Sequence, residues 1–306
     1  MRDWALPLLR CLACGAAAPE TGGVLDRDGD ALRCRHCGAS FPVHDGVANC
    51  LFDLHEVPER ERSAVSGEDR RHWVAPTPGP AGADVAAAEA AYRQRVAEAR
   101  TIVEELIERE PLPTRPLVVE VGADFGWTSA LLVERGARVV ATEISDHLLH
   151  APAAAAADLC RIQADMNRLP LADGVADVVW ASACVHHSWD LDRTFREIAR
   201  VLRPGGRAYL CNEPLPAWPR WLLGFGFGRE ERELGINETW KRRGAWLAAC
   251  RRAGLEPRLV FPSMRGERLA RRLEHRRIPR FVAPLLAPLL PWLAVSIHLI
   301  ADKPAR

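Results

Sequence analysis

From Val118 onward, short apolar runs that end in polar residues alternate with stretches whose apolar positions recur at the helical period. Val118 to Ser129 reads V-V-E-V-G-A-D-F-G-W-T-S, which predicts a strand, a glycine turn and the start of a helix. A second run, Arg138 to Ala141, ends in Thr142-Glu143, and a third, Arg161 to Ala164, ends in Asp165-Met166. The fourth, Ala176 to Ser182, follows a turn at Asp173-Gly174. A helix from Leu191 to Leu202 is stopped by Arg203-Pro204-Gly205-Gly206, and a fifth strand, Arg207 to Cys211, runs into Asn212-Glu213-Pro214. Upstream, Ala86 to Glu110 has a helical pattern, with Val96, Ile102, Val103, Leu106 and Ile107 near one face and Pro111 as its stop. Leu293 to Ala301 supplies a last strand. Strands alternating with helices predict an α/β fold, a doubly wound parallel sheet with right-handed crossovers.

The polar residues at the strand ends carry the chemistry. Ligands of open α/β sheets sit outside the carboxyl ends of the strands, and an acid about 20 residues after a glycine turn is placed to accept hydrogen bonds from ribose hydroxyls. E-V-G-A-D-F-G, Glu143, the Q-A-D-M segment and L-R-P-G-G together resemble a class I S-adenosylmethionine-dependent methyltransferase of the small-molecule type, over about Leu117 to Asp302. The resemblance implies a Rossmann-like sheet of seven strands. It also implies that Glu120 and the turn through Gly122, Asp124 and Gly126 face the methionine part of the cofactor. By the same likeness Glu143 holds the ribose, Asp165 accepts from the adenine amino group, and Met166 offers a backbone contact to the ring. One position departs from the family: Asp124 stands where the middle glycine of the turn is usual, and aspartate tolerates the left-handed region better than most residues.

A second signal lies near the N-terminus, where Cys11-x-x-Cys14 and Cys34-x-x-Cys37 are separated by nineteen residues. Two such knuckles suit a closed, tetrahedral, structural zinc site; two disulfides or a redox pair are the alternatives. Met1 to Leu9 is too short and interrupted for a secretory h-region, so a cytoplasmic setting with reduced thiols is expected, which favours metal. With Phe41-Pro-Val-His-Asp-Gly-Val47 the segment is similar to the zinc ribbons of the Trm112-like type, over about Leu9 to Phe52. A ribbon of this kind also precedes the catalytic domain in bacterial 23S ribosomal RNA guanine methyltransferases.

The expected organisation is a ribbon at 1–55, a linker at 56–85 rich in charge, Pro and Gly, and a methyltransferase domain at 86–306. A chain of 306 residues with 48% hydrophobic content can bury a core for both parts, and five further cysteines read as reduced core residues. The net charge of +1 argues against broad phosphate contact, although thirteen Lys/Arg against three acids lie between Lys241 and Arg280. The apolar, proline-broken run Phe281 to Leu293 is too short for a membrane span and reads as a lid over the site or as a peripheral membrane-surface segment.

Methyl transfer from a sulfonium needs alignment of the acceptor and, for a hydroxyl, loss of a proton. His186, His187 and Glu213 are the candidate catalytic residues, each at the end of a strand that borders the crevice. Asn237-Glu238 is a further polar pair, and Trp189, Trp218, Trp221 and Trp240 are candidate walls for an apolar acceptor. The function expected is methyl transfer to a small-molecule or lipid-linked acceptor, at oxygen. The alternatives are an RNA guanine methyltransferase and an inactive module that recruits a partner through its ribbon.

Overall fold

Five consecutive buried residues, Leu117–Val121, form the strand around which the sheet is built. This unbroken burial marks a strand covered on both faces, as parallel sheets require. The computed structural model describes residues 1–14, 23–66, 96–97, 100–150, 159–216, 232–233, 235–260 and 296–305. In chain order the strands are β1 (Leu25–Asp28), β2 (Ala31–Cys34), β3 (Ser40–His44), β4 (Val47–Asn49), β5 (Leu117–Val121) and β6 (Arg138–Glu143). They continue with β7 (Leu159–Gln163), β8 (Ala176–Ser182), β9 (Leu202–Pro214), β10 (Glu256–Val260) and β11 (Ser296–Asp302). The helices are α1 (Glu56–Ser66), α2 (100–109), α3 (Trp127–Glu134), α4 (Asp146–Leu149), α5 (Leu191–Val201) and α6 (Arg243–Arg252).

Seven strands, in the order β7-β6-β5-β8-β9-β11-β10, make the doubly wound sheet. The first five pair in parallel, whereas β11 runs antiparallel to both β9 and β10. The order reverses between β5 and β8, so the crevice opens at the carboxyl ends of those two strands. Alternate residues feed opposite faces. Val118 and Val178 pack with Val103 and Leu106 of α2 and Leu131 and Leu132 of α3. Val119 and Val179 pack with Phe195 and Ile198 of α5 and Trp246 of α6. The stretch predicted as Ala86 to Glu110 is helical up to Arg109 where described, and its buried positions are Ile102, Val103 and Leu106.

Two features differ from expectation. The cysteine-bearing hairpins do not stand apart: β4 pairs in parallel with β7, Ala48 opposite Ile162, which extends the sheet to eleven strands. Leu25, Leu32, Phe41 and Ala48 share one core with Ile162, Leu169 and Leu171. The other correction concerns the expected linker, whose first eleven residues form α1. Glu56 and Glu59 sit in its first turn and Glu59 pairs with Arg62 at 2.5 Å, an ordinary helical pattern of charge. Pro58 is the one buried residue among those described in it, too little to make an apolar period.

The rest of the linker to 85, Trp218, Trp221, the basic stretch after Val260 and the apolar run Phe281 to Leu293 lie outside the described residues. Among the described residues no helix is long and apolar enough to cross a membrane.

Candidate functional site

The turn after β5 forms with three left-handed residues, Gly122 (φ 65°), Asp124 (φ 50°) and Gly126 (φ 77°). Asp124 therefore takes the conformation that a glycine commonly supplies. Gly122 is required on a second count, since a Cβ there would lie 2.6 Å from the Cβ and Sγ of Cys184. That thiol donates to the Val121 carbonyl at 3.0 Å and locks the loop after β8 onto the turn.

Acids close this end of the sheet. Glu120 is 1% exposed and accepts from the Ser129 hydroxyl; burial first, then the neighbouring Asp124 and Glu143, push its carboxyl up to about 8. Glu143 accepts from the amides of Asp124 (3.1 Å), Ile144 (2.7 Å) and Ser145 (3.3 Å), and burial still raises it. Asp165 accepts from the Asn167 amide at 2.9 Å and is raised by burial too, with Met166 partly buried beside it. The structure thus brings Glu120, Gly122, Asp124, Gly126 and Glu143 together at one rim, with Asp165 and Met166 one strand farther along. Buried carboxyls whose proton affinity is raised are a chemical match for a cationic ligand, which would hold them ionised.

Across the crevice, Val185–His187 is a single 3-10 turn whose position Glu213 dictates. Fully buried at the end of β9, Glu213 accepts from the amides of Cys184, Val185 and His186 at 3.2, 3.0 and 3.1 Å, and lies 3.0 Å from His186 Nδ1. Four donors occupy its two oxygens, so Glu213 holds the loop rather than meeting a substrate. His186 Nε2 is 3.3 Å from Glu238 Oε2, and His187 Nε2 is 3.6 Å from the same atom. Although burial opposes it, the two carboxylates push His186 up to about 9, and His186 in turn holds Glu238 down at about 2. Trp240 Nε1 donates to Glu238 Oε1 at 2.9 Å, Asn237 to the His187 carbonyl at 2.7 Å, and Lys241 to the His186 carbonyl at 3.0 Å. The N-E-T-W-K segment is therefore a wall of the histidine loop. Glu61 of α1 completes it, 3.0 Å from His187 Nδ1. Nothing in the charged E-V-P-E-R-E-R sequence distinguishes Glu61 from its neighbours, and it escapes sequence reasoning.

A cleft of about 270 Å³ lies where the cysteine-bearing hairpins meet the sheet, lined by Phe52, His55, Asp165, Arg168, Trp189 and Arg193 among others. His55 stacks on Trp189 with ring centroids 4.1 Å apart. Arg168 donates to the carbonyls of Leu12 (2.7 Å) and Phe52 (3.3 Å), so the hairpin ends are tied to the loop that bears Asp165.

Cys11, Cys14, Cys34 and Cys37 converge, their Sγ atoms all within 4.8 Å. The Cys11–Cys37 and Cys14–Cys34 separations are 3.7 and 3.5 Å. These are far longer than a disulfide and close to the ~3.8 Å edge of a tetrahedron with metal–sulfur bonds of ~2.3 Å. Against burial, the amides of Cys37 and His36 and neighbouring thiols lower Cys34 to about 6, which favours a thiolate. The four thiols fit a tetrahedral metal.

Residues 119–210 match the family described as methyltransferase domain. The chain carries a methyltransferase domain. Its fold is the Rossmann-like α/β fold of the S-adenosylmethionine-dependent methyltransferases. The demethylmenaquinone methyltransferase of Mycolicibacterium vanbaalenii is 37% identical over 110 residues, 35% of this chain and 47% of that one. The dimethylglycine N-methyltransferase of Parasynechococcus marenigrum is 28% identical over 180 residues, 56% of this chain and 60% of that one. The chain thus spans about half the length of the curated relatives it matches. Among solved structures, the geranyl diphosphate C-methyltransferase of Streptomyces coelicolor shares the fold, with a TM-score of 0.51 at 18% identity over 74% of this chain and 86% of that one. The matched segment begins at the third residue of β5 and ends within β9, so it contains Glu120, the turn, Glu143, Asp165 and both histidines.

Proposed function

We propose that this protein transfers a methyl group from S-adenosylmethionine to a small-molecule or lipid-linked acceptor, at oxygen. The observation that carries the reading is the rim of acids, buried Glu120 and Glu143 with partly buried Asp124, around the left-handed turn at the sheet's switch point. A sulfonium and an ammonium are the positive groups such a rim would hold. Glu120 and the turn would take the methionine part, Glu143 the ribose hydroxyls, and Asp165 with the Met166 backbone the adenine ring. The bound cofactor supplies an electrophilic methyl group; the chain's own part is to align the acceptor and exclude water. Glu238 and the paired histidines stand on the acceptor side, where a hydroxyl would find a carboxylate to accept its hydrogen bond. Glu213 acts as a positioning residue through the three amides it holds. Two relatives named for small acceptors, demethylmenaquinone and dimethylglycine, support the substrate class.

Zinc is the metal that four thiols at this spacing would take, as a structural ion that closes the hairpins. The cytoplasm, where thiols stay reduced, suits such a site.

Thermal unfolding with added S-adenosylhomocysteine tests the reading. At a hundredfold excess over Kd the ligand should stabilise the protein by about 2.7 kcal/mol, and Glu143→Ala should abolish most of that gain. In parallel, methyl-labelled cofactor and fractionated cell extract should yield label in a metabolite or lipid fraction. Label in RNA would replace the acceptor class, and absence of any ligand effect would reduce the chain to a binding module.

A further inference from the structure

The histidine loop gathers three carboxylates around two histidines and a lysine. Glu61, Glu213 and Glu238 all approach His186 and His187, and their side chains are between 0% and 15% exposed. Among the described residues the ammonium set against this group is that of Lys241, which donates to the His186 carbonyl and the Thr239 hydroxyl rather than to a carboxylate. With both histidines neutral, as metal binding would require, three carboxylates and one ammonium leave two negative charges in a buried place, one of which the proton on His186 offsets in the ion-free fold. A divalent ion carries the charge that would balance them.

The arrangement of nitrogens points the same way. Each histidine has its Nδ1 3.0 Å from a carboxylate, Glu213 for His186 and Glu61 for His187. Each presents Nε2 to one shared oxygen, Glu238 Oε2, at 3.3 and 3.6 Å. The Glu213–His186 hydrogen bond is of the kind that holds a metal-bound histidine, an outer carboxylate fixing the tautomer so that the other nitrogen's lone pair faces the ion, and Glu61 stands at the same distance from His187. Ligand atoms around one ion at bonds of ~2.1 Å lie ~3 to 3.5 Å apart, which these two separations approach closely. His186, His187 and Glu238 also satisfy the spatial condition for a shared ion, with all three ligand atoms within 4.8 Å of one another.

We infer that His186 Nε2, His187 Nε2 and Glu238 Oε2 form a second metal site, for a divalent transition-metal cation, distinct from the four thiols. Two histidines and one carboxylate suit zinc, iron(II), manganese or cobalt, and unlike the four-thiolate site they leave coordination positions open. If the methyl-transfer reading holds, an acceptor oxygen is the group that would occupy an open position and lose its proton more readily there. The site itself does not depend on that reading. Its anchoring explains why Glu61, on an element remote in sequence, is brought against His187.

The test uses the full chain, stripped of metal under reducing conditions and reloaded with Zn2+ or Co2+ alone. Elemental analysis after gel filtration should find two equivalents per chain, and Glu238→Gln and His187→Asn should each retain one. The Co2+ form should show intense thiolate-to-metal absorption, which both variants keep, and a weaker nitrogen- and oxygen-ligand band, which both lose. The second band is read from the wild-type chain before any variant is made, so misfolding of a variant does not obscure it. One equivalent with thiolate absorption only would overturn the site, as would a second equivalent that survives both substitutions. These readouts need no methyl acceptor, so their failure is distinguishable from failure of the cofactor titration.

Discussion

Glu120 is the acid whose chemistry is most altered by its surroundings. In the unfolded chain its carboxyl titrates near its ordinary 4.5, whereas burial among Asp124 and Glu143 raises it to about 8 in the fold. Between those two values the native state holds a proton that the unfolded state has lost, so stability falls as pH rises, with a limiting slope of about 1.4 kcal/mol per pH unit. Glu120→Gln mimics the protonated form and keeps an acceptor for the Ser129 hydroxyl. The variant should therefore equal the wild type near pH 4 and exceed it by at least about 1 kcal/mol at pH 7.5. Urea unfolding of both ligand-free proteins at several pH values measures the difference, and parallel pH profiles would dismiss the shift. A cofactor with two positive groups acts on the same carboxylate from the other side, favouring the ionised form that the empty fold resists.

At the scale of elements, the loop after β7 and the loop after β8 are joined by one amide. Asn167, 1% exposed, donates through Nδ2 to Ser188 Oγ (3.1 Å), the Asp190 carbonyl (2.8 Å) and Thr194 Oγ1 (2.8 Å). It thereby ties the turn of Asp165 and Met166 to the histidine loop and to the start of α5, where Asp190 caps by accepting from the Arg193 amide at 2.9 Å. Asn167→Ala should cost about 1 to 3 kcal/mol, since it strands buried acceptors. It should also weaken S-adenosylhomocysteine binding, although Asn167 is assigned no contact with the ligand; calorimetry on the folded variant checks the second part, and unchanged affinity would separate the two loops. The strands were legible as apolar runs, and the acids that end β6 and follow β7 fell at one rim because parallel strands align their carboxyl ends. The four cysteines were legible for a similar reason, since two short knuckles need only fold back on each other. Glu61 and the pairing of β4 with β7 were not, because they work through polar or backbone contacts across more than a hundred residues, and Asn167 was not, because its three acceptors lie in a loop and a helix start that only the fold brings to it.

For the whole molecule, the question is whether the cysteine-bearing hairpins and the methyltransferase domain are two bodies or one. The sequence reads as a ribbon, a linker and a domain, but three kinds of contact cross the boundary. Val47–Asn49 extends the sheet alongside β7, and Cys50 N continues the ladder to the Gln163 carbonyl at 3.0 Å. Arg10 N donates to the Pro170 carbonyl and Ala172 N to the Leu8 carbonyl, at 3.0 and 2.8 Å. Beneath them, Leu9, Leu25, Leu32 and Phe41 are buried in the same core as Leu169 and Leu171. A boundary crossed by shared strands and shared apolar burial unfolds cooperatively, because neither side keeps its core when the other opens. Heating the cobalt-loaded protein should thus abolish thiolate-to-metal absorption and far-ultraviolet helical signal at one temperature, and S-adenosylhomocysteine should raise both together by linkage. Chelation of the metal should lower that shared temperature and weaken the ligand, since the hairpin ends are bonded through Arg168 to the loop of Asp165. Loss of the thiolate band well below the helical transition would make the hairpins an independent module, and the ligand-binding rim would then owe them nothing.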